Sequence, residues 1–139
     1  GIPFCGASGQ LLDKMLNSIN LDRNKVYITN VIPWRPPGNR TPNESEISLM
    51  KPFLMRHIEI VSPKLLVAVG GSAAKAILDF EGGILRHRGT WKEIILRDGS
   101  KIPIIATLHP AYLLRAPNQK KLAWEDLKLI RSKLEEFHG

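Results

Sequence analysis

The sequence predicts an α/β protein: a three-layer αβα arrangement around a central, mostly parallel sheet. Two observations carry this. Three short runs, Val26–Ile32, Lys64–Gly70 and Ile102–Thr107, are rich in β-branched and apolar residues, as strands are, and the last two are almost continuously apolar. Such runs fit strands of a parallel sheet buried on both faces. Between them lie stretches whose apolar residues recur at helical spacing, and strands alternating with helices give a sheet covered on both sides.

Taken in order, the chain opens with "GIPFCGASG", rich in Gly and Ser and loop-like. Leu11, Leu12, Met15 and Ile19 then share one face of a first helix. After the strand at Val26–Ile32, "PWRPPGNRTP" is too rich in proline for regular structure and reads as a rigid loop. Thr41 with Glu44, and Pro42 at the first helical position, form a capping box. Ile47, Met50, Leu54, Ile58 and Val61 give the following helix its apolar face, with a kink expected at Pro52. Ser72 is expected to cap a short helix through Leu78. "GTWKEIILRDGSKIPIIAT" reads as a hairpin turning at Asp98-Gly99. Ala123, Leu127, Ile130, Leu134 and Phe137 define a last amphipathic helix.

At 139 residues the chain is long enough for one domain with its own core. No apolar run approaches the roughly 20 residues of a membrane span, and no signal peptide opens the sequence. Cys5 stands alone, which excludes an internal disulfide and a multi-cysteine metal site within these residues and makes the cytoplasm the expected compartment. Twenty Lys and Arg against 13 Asp and Glu give a net charge of +7, which favours a polyanionic partner.

Parallel sheets place their sites beyond the carboxyl ends of their strands. Asn30, the Gly70-Gly71-Ser72 turn and His109 each follow or end a strand, so neighbouring strands would bring them to one crevice. The crevice has no nucleophile elbow, and "VGGSAAK" lacks the Gly-Lys-Ser/Thr of a phosphate loop. There is no dinucleotide fingerprint, and the four histidines lack metal-ligand spacing. What remains is an amide that can read a base edge (Asn30), an imidazole that can support a developing anion (His109) and a ring that can stack on a base (Phe4). With a basic surface, that set suits a pocket for a flipped base.

Four segments in order, "GIPFCGASGQLLDKML", "VYITNVIPWRPPGNRTP", "LLVAVGGSAAKAIL" and "TLHPAYLLR", resemble the family-four type of the uracil-DNA glycosylase superfamily, and "WEDLK" is similar to it as well. The resemblance covers essentially the whole chain. It implies a uracil-DNA glycosylase-like fold and hydrolysis of the bond between uracil and deoxyribose in base excision repair. It implies that Phe4 stacks on the extruded uracil, that Asn30 reads its Watson–Crick edge, and that His109 donates to uracil O2 as the ring leaves. Tyr112, Leu113, Leu114 and Arg115 would form a wedge in the base stack, with one of the two leucines in the core. Ser72, Arg35 and Arg40 would contact the DNA backbone. The implied partners are uracil-containing DNA, single- or double-stranded, and free uracil as product, with the protein a monomer.

The sequence departs from that pattern twice. The family's first motif, whose carboxylate positions the attacking water, would precede Gly1, so an upstream strand is expected to be missing from this single domain. Family members also carry four cysteines for an iron–sulfur cluster; two would precede Gly1, and the others would fall at Trp34 and near Met50, where no cysteine stands. A variant without the cluster, and without any other cofactor or metal, is therefore expected. Two alternatives stand beside the enzyme: a catalytically impaired uracil- and DNA-binding remnant of the same fold, and a domain acting on free nucleotides. The missing phosphate loop argues against the second.

Overall fold

A computed structural model describes residues 6–19, 21, 44–78 and 83–138. The chain divides into two compact units, Asn30–Thr107 and a second built from Gly1–Thr29 with Leu108–Gly139.

In the first unit, α2 (Glu44–Val61), β1 (Leu66–Val69), α3 (Gly71–Leu78), α4 (Ile84–His87), β2 (Lys92–Ile95) and β3 (Lys101–Thr107) form a helix-covered sheet. β3 is central, parallel to β1 and antiparallel to β2. The parallel ladder runs from Leu66 opposite Ile104 to Val69 opposite Thr107. Pro103 precedes that ladder, so its missing N–H leaves the parallel pairing intact. The β2–β3 hairpin turns at Asp98-Gly99, as the sequence predicts. Gly99 takes a φ of +86°, and the Asp98 carboxylate accepts from the Ser100 hydroxyl and backbone N–H. Those two bonds hold the Asp98 carboxyl below the usual carboxylate range.

One face of β3 presents Ile102, Ile104 and Ala106 to a cluster with Leu54 and Ile58 of α2, Ala68 of β1 and Ala74 of α3. Ile105 and Thr107, which alternate with them, are buried too, so β3 is covered on both faces. In β1 only Ala68 is buried; Leu66, Val67 and Val69 are half-buried. α2 runs through Pro52 as one helix and stops where Ser62 turns left-handed (φ +53°) ahead of Pro63. The described part of α2 begins at Glu44, so the expected cap at Thr41 and Pro42 lies outside the described residues, as do the first strand and the proline-rich loop.

The expected cap at Ser72 is corrected. α3 begins at Gly71, with Gly70 at φ +94° and its carbonyl accepting the Ala74 N–H, so Gly70 holds the cap position and Ser72 lies inside the first turn. A side-chain cap has no place where a left-handed glycine already turns the chain into the helix.

The second unit contains α1 (Gly6–Ser18), α5 (Pro110–Arg115), a 3₁₀ turn (Pro117–Gln119) and α6 (Lys120–His138). Leu12, Met15 and Ile19 are buried along α1, and Ala123, Leu127 and Ile130 along α6, at the helical spacing the sequence shows.

Candidate active site

The sheet's carboxyl edge lies in the first unit. Because β1 and β3 are parallel, they end side by side, and the Gly70 N–H donates to the Thr107 carbonyl at 2.8 Å. Two of the three strand-end signals therefore belong to neighbouring strands. The third, Asn30, lies outside the described residues, as do Phe4, Arg35 and Arg40. The chain leaves β3 at Thr107 and reaches His109 two residues later.

His109 caps α5. Its backbone is extended (φ −72°, ψ 138°), Pro110 takes the first helical position, and the His109 carbonyl accepts from Leu113 N–H. Proline suits that position because its N–H would have no partner there and its φ is preset. The imidazole supplies the side-chain cap: Nδ1 accepts the Ala111 backbone N–H at 3.0 Å. An acceptor nitrogen must carry a lone pair, so the ring's proton sits on Nε2 and the ring is neutral. Burial, and then the positive charge of Arg115 at the other end of α5, hold the His109 pKa below its ordinary value. The result is a fixed, uncharged Nε2–H donor.

The helix turn then separates the residues that follow. Leu113 is 1% exposed and Leu114 43%, while Arg115 is exposed and Tyr112 half-buried. Leu113 is thus the packing residue of the pair, one of whose two leucines the sequence places in the core. It borders a cavity of about 260 Å³ with Leu11, Met15, Trp124 and Leu127. Among the described residues that line it, the polar side-chain groups are the Lys14 and Lys120 ammoniums and the Trp124 N–H, all donors, so no side chain there supplies the acceptor needed to read a base edge.

Asp126 escaped the sequence reading. It is 0% exposed on α6, and no buried side-chain polar atom among the described residues lacks a hydrogen bond. The signal was its register: it falls on the Ala123–Leu127–Ile130 stripe, where an acid is out of place.

Among the described residues no group of three His, Cys, Asp or Glu is placed to hold a metal. An iron–sulfur cluster takes about four thiolates. Cys5 is the single cysteine of these 139 residues, and Trp34 and Met50 offer no thiolate, so the residues present do not fit that group.

The family model of the uracil DNA glycosylase superfamily matches residues 1–128, and the chain belongs to that superfamily. Within it, the chain is similar to type-4 uracil-DNA glycosylases. It is 41% identical to that of Sulfurisphaera tokodaii over 139 residues, 41% to that of Archaeoglobus fulgidus over 135, and 37% to that of Thermotoga maritima over 135. These matches cover 94%, 94% and 95% of this chain. The chain spans 61%, 67% and 68% of the lengths of those relatives.

Proposed function

We propose that this protein is a uracil-DNA glycosylase, acting at the first step of base excision repair. The observation that carries the reading is the Ala111 N–H bond to His109 Nδ1, which leaves Nε2–H as a fixed neutral donor at the start of α5. In the proposed reaction, the bond between uracil N1 and the sugar C1′ breaks, its electron pair leaves with uracil, the oxygen of water bonds to C1′, and the proton that water loses balances the one the uracil anion takes up. Negative charge then gathers on the uracil, O2 included. A donor held at that oxygen binds the transition state more strongly than the substrate, which is the condition for acceleration. A neutral donor suits this step, because the ring need not lose a proton to hold the anion.

In this reading Asn30 reads the uracil edge and Phe4 stacks on the ring. Tyr112, Leu114 and Arg115 meet the DNA at the extruded nucleotide, with Ser72, Arg35 and Arg40 on its phosphates. The quoted motifs and the type-4 relatives support these roles. The 139 residues act as one glycosylase-like domain, since the family match runs through both units. The lone cysteine supports a cytoplasmic setting; among the described residues no helix is long and apolar enough to cross a membrane. The protein works as a monomer without a cofactor, and its product is free uracil.

The test is incubation of the protein with an oligonucleotide holding one uracil. The expected result is free uracil and an alkali-labile abasic site. Tight binding to the uracil strand without release would leave a binding protein on the same fold. Neither binding nor release, or a preference for dUMP over uracil-containing DNA, would overturn the assignment.

A further inference from the structure

α4 is not accounted for by the chemistry at His109. It packs at the carboxyl edge of the sheet: a Cβ placed on Gly71, at the start of α3, would lie 3.9 Å from Ile84 Cβ. Just after α4, the Gly89 N–H donates to the Ala106 carbonyl of β3 at 3.0 Å, with Gly89 at φ +73°. Ile84 turns inward onto the core, whereas Leu85 is 50% exposed and Arg86 is exposed beside it. His87 and Arg88 extend the basic run, and no acidic residue lies between Gly82 and Lys92. An exposed leucine followed by an arginine, on a one-turn helix at a sheet edge, repeats the pairing of Leu114 with Arg115 on α5.

We propose that α4 is a second DNA-contacting element, in which Leu85 packs on the sugar and base surface and Arg86 holds phosphates. The proposal rests on the glycosylase reading for the identity of its ligand. Its own ground is chemical: an exposed arginine beside an exposed leucine complements a polyanion that carries apolar sugar and base faces. A merely solvated arginine beside a lone surface leucine is the ordinary alternative, and salt dependence separates the two. Each phosphate neutralised by a side chain contributes a slope of about −0.9 to log affinity against log salt on duplex DNA, and about −0.7 on single strands.

The experiment compares the parent, Arg86→Gln, Leu85→Ala and Arg97→Gln on duplex and single-stranded uracil oligonucleotides across a salt series. Arg97 is the control: it is exposed at the β2–β3 turn, beyond the opposite end of β3, and pairs with Glu59 at 3.7 Å. Arg86→Gln should flatten the duplex slope by about 0.9. Leu85→Ala should weaken duplex binding severalfold without changing the slope. Arg97→Gln should match the parent throughout. An unchanged duplex slope in Arg86→Gln, or an equal loss in Arg97→Gln, overturns the proposal while the glycosylase reading stands. A parent that neither binds nor cleaves uracil-containing DNA removes both.

Discussion

α5 and α4 share a pattern and differ in anchorage. Each is a short helix with an exposed leucine followed by an arginine. α5 is anchored by side chains: a histidine caps it, a proline starts it, and Leu113 is buried in its own unit. α4 has Gly83 at its cap position with no side-chain bond, and none of its residues is fully buried. Helices of four to six residues do not stand on propensity alone, so the difference lies in what holds them. A donor that must sit at one oxygen of a transition state needs a rigid mount. A phosphate contact tolerates a looser one. The molecule spends its anchoring residues on the helix that carries the imidazole.

The comparison breaks first at Leu113. Leu113→Ala removes a fully buried side chain beside an existing cavity and should cost about 2–5 kcal/mol of stability, read by denaturant unfolding. Leu85→Ala, at the matching apolar position of α4, should stay within about 0.5 kcal/mol of the parent. Equal losses would mean that α4 is packed as firmly as α5.

His109→Ala tests what the mount is for. Removing one transition-state donor typically costs about 10²–10³ in rate. Single-turnover excision should fall by about that factor, with affinity for uracil-containing DNA nearly unchanged. Asn30→Asp should lose uracil recognition instead, since a carboxylate offers no donor to uracil O4 and would accept from cytosine N4. A folded His109→Ala protein that excises at the parent rate would reduce the imidazole to a helix cap.

Much of this was legible in the sequence, for physical reasons that also mark the limit. The apolar stripes of α1 and α6 repeat over three or more turns, so their period is unmistakable, and Asp98-Gly99 names its own turn. α5 is only six residues long, too short for a period to show, and its proline is as consistent with a loop as with a helix start. α4 could not be separated as a helix for the same reason: Arg86 and Arg88 read as solvated charge with some phosphate contacts among them, with no period to place them. His109 could be singled out from its place after an apolar strand. Its tautomer could not, because that depends on the Ala111 N–H arriving 3.0 Å from Nδ1, which is a fact of the folded turn. Leu113 and Leu114 look alike in sequence, and only the helix decides which one is buried.

The smallest effect sharpens the comparison most, because it separates the two arginines. Arg86 is proposed to act on DNA alone; Arg115 also acts on the ring at the other end of its helix. Burial comes first and the Arg115 charge second in holding the His109 pKa down. The folded protein therefore binds fewer protons at His109 than the unfolded chain, whose histidine titrates near 6.5. Stability from this group is intact above that pH and is lost as pH falls from about 6.5 toward the lower folded value. Protonation would also put a hydrogen on Nδ1, where the Ala111 N–H already points, and so would disturb the cap together with the donor. Arg115→Gln takes away the second cause and leaves the first, so the His109 pKa should rise without fully regaining its ordinary value. The acid limb of the single-turnover rate profile should move to higher pH in Arg115→Gln and stay in place in Arg86→Gln, whereas both variants should flatten the salt slope on duplex DNA by about 0.9. If the acid limb stays fixed in Arg115→Gln, burial alone keeps the imidazole neutral, and Arg115 does no more for the reaction than hold a phosphate.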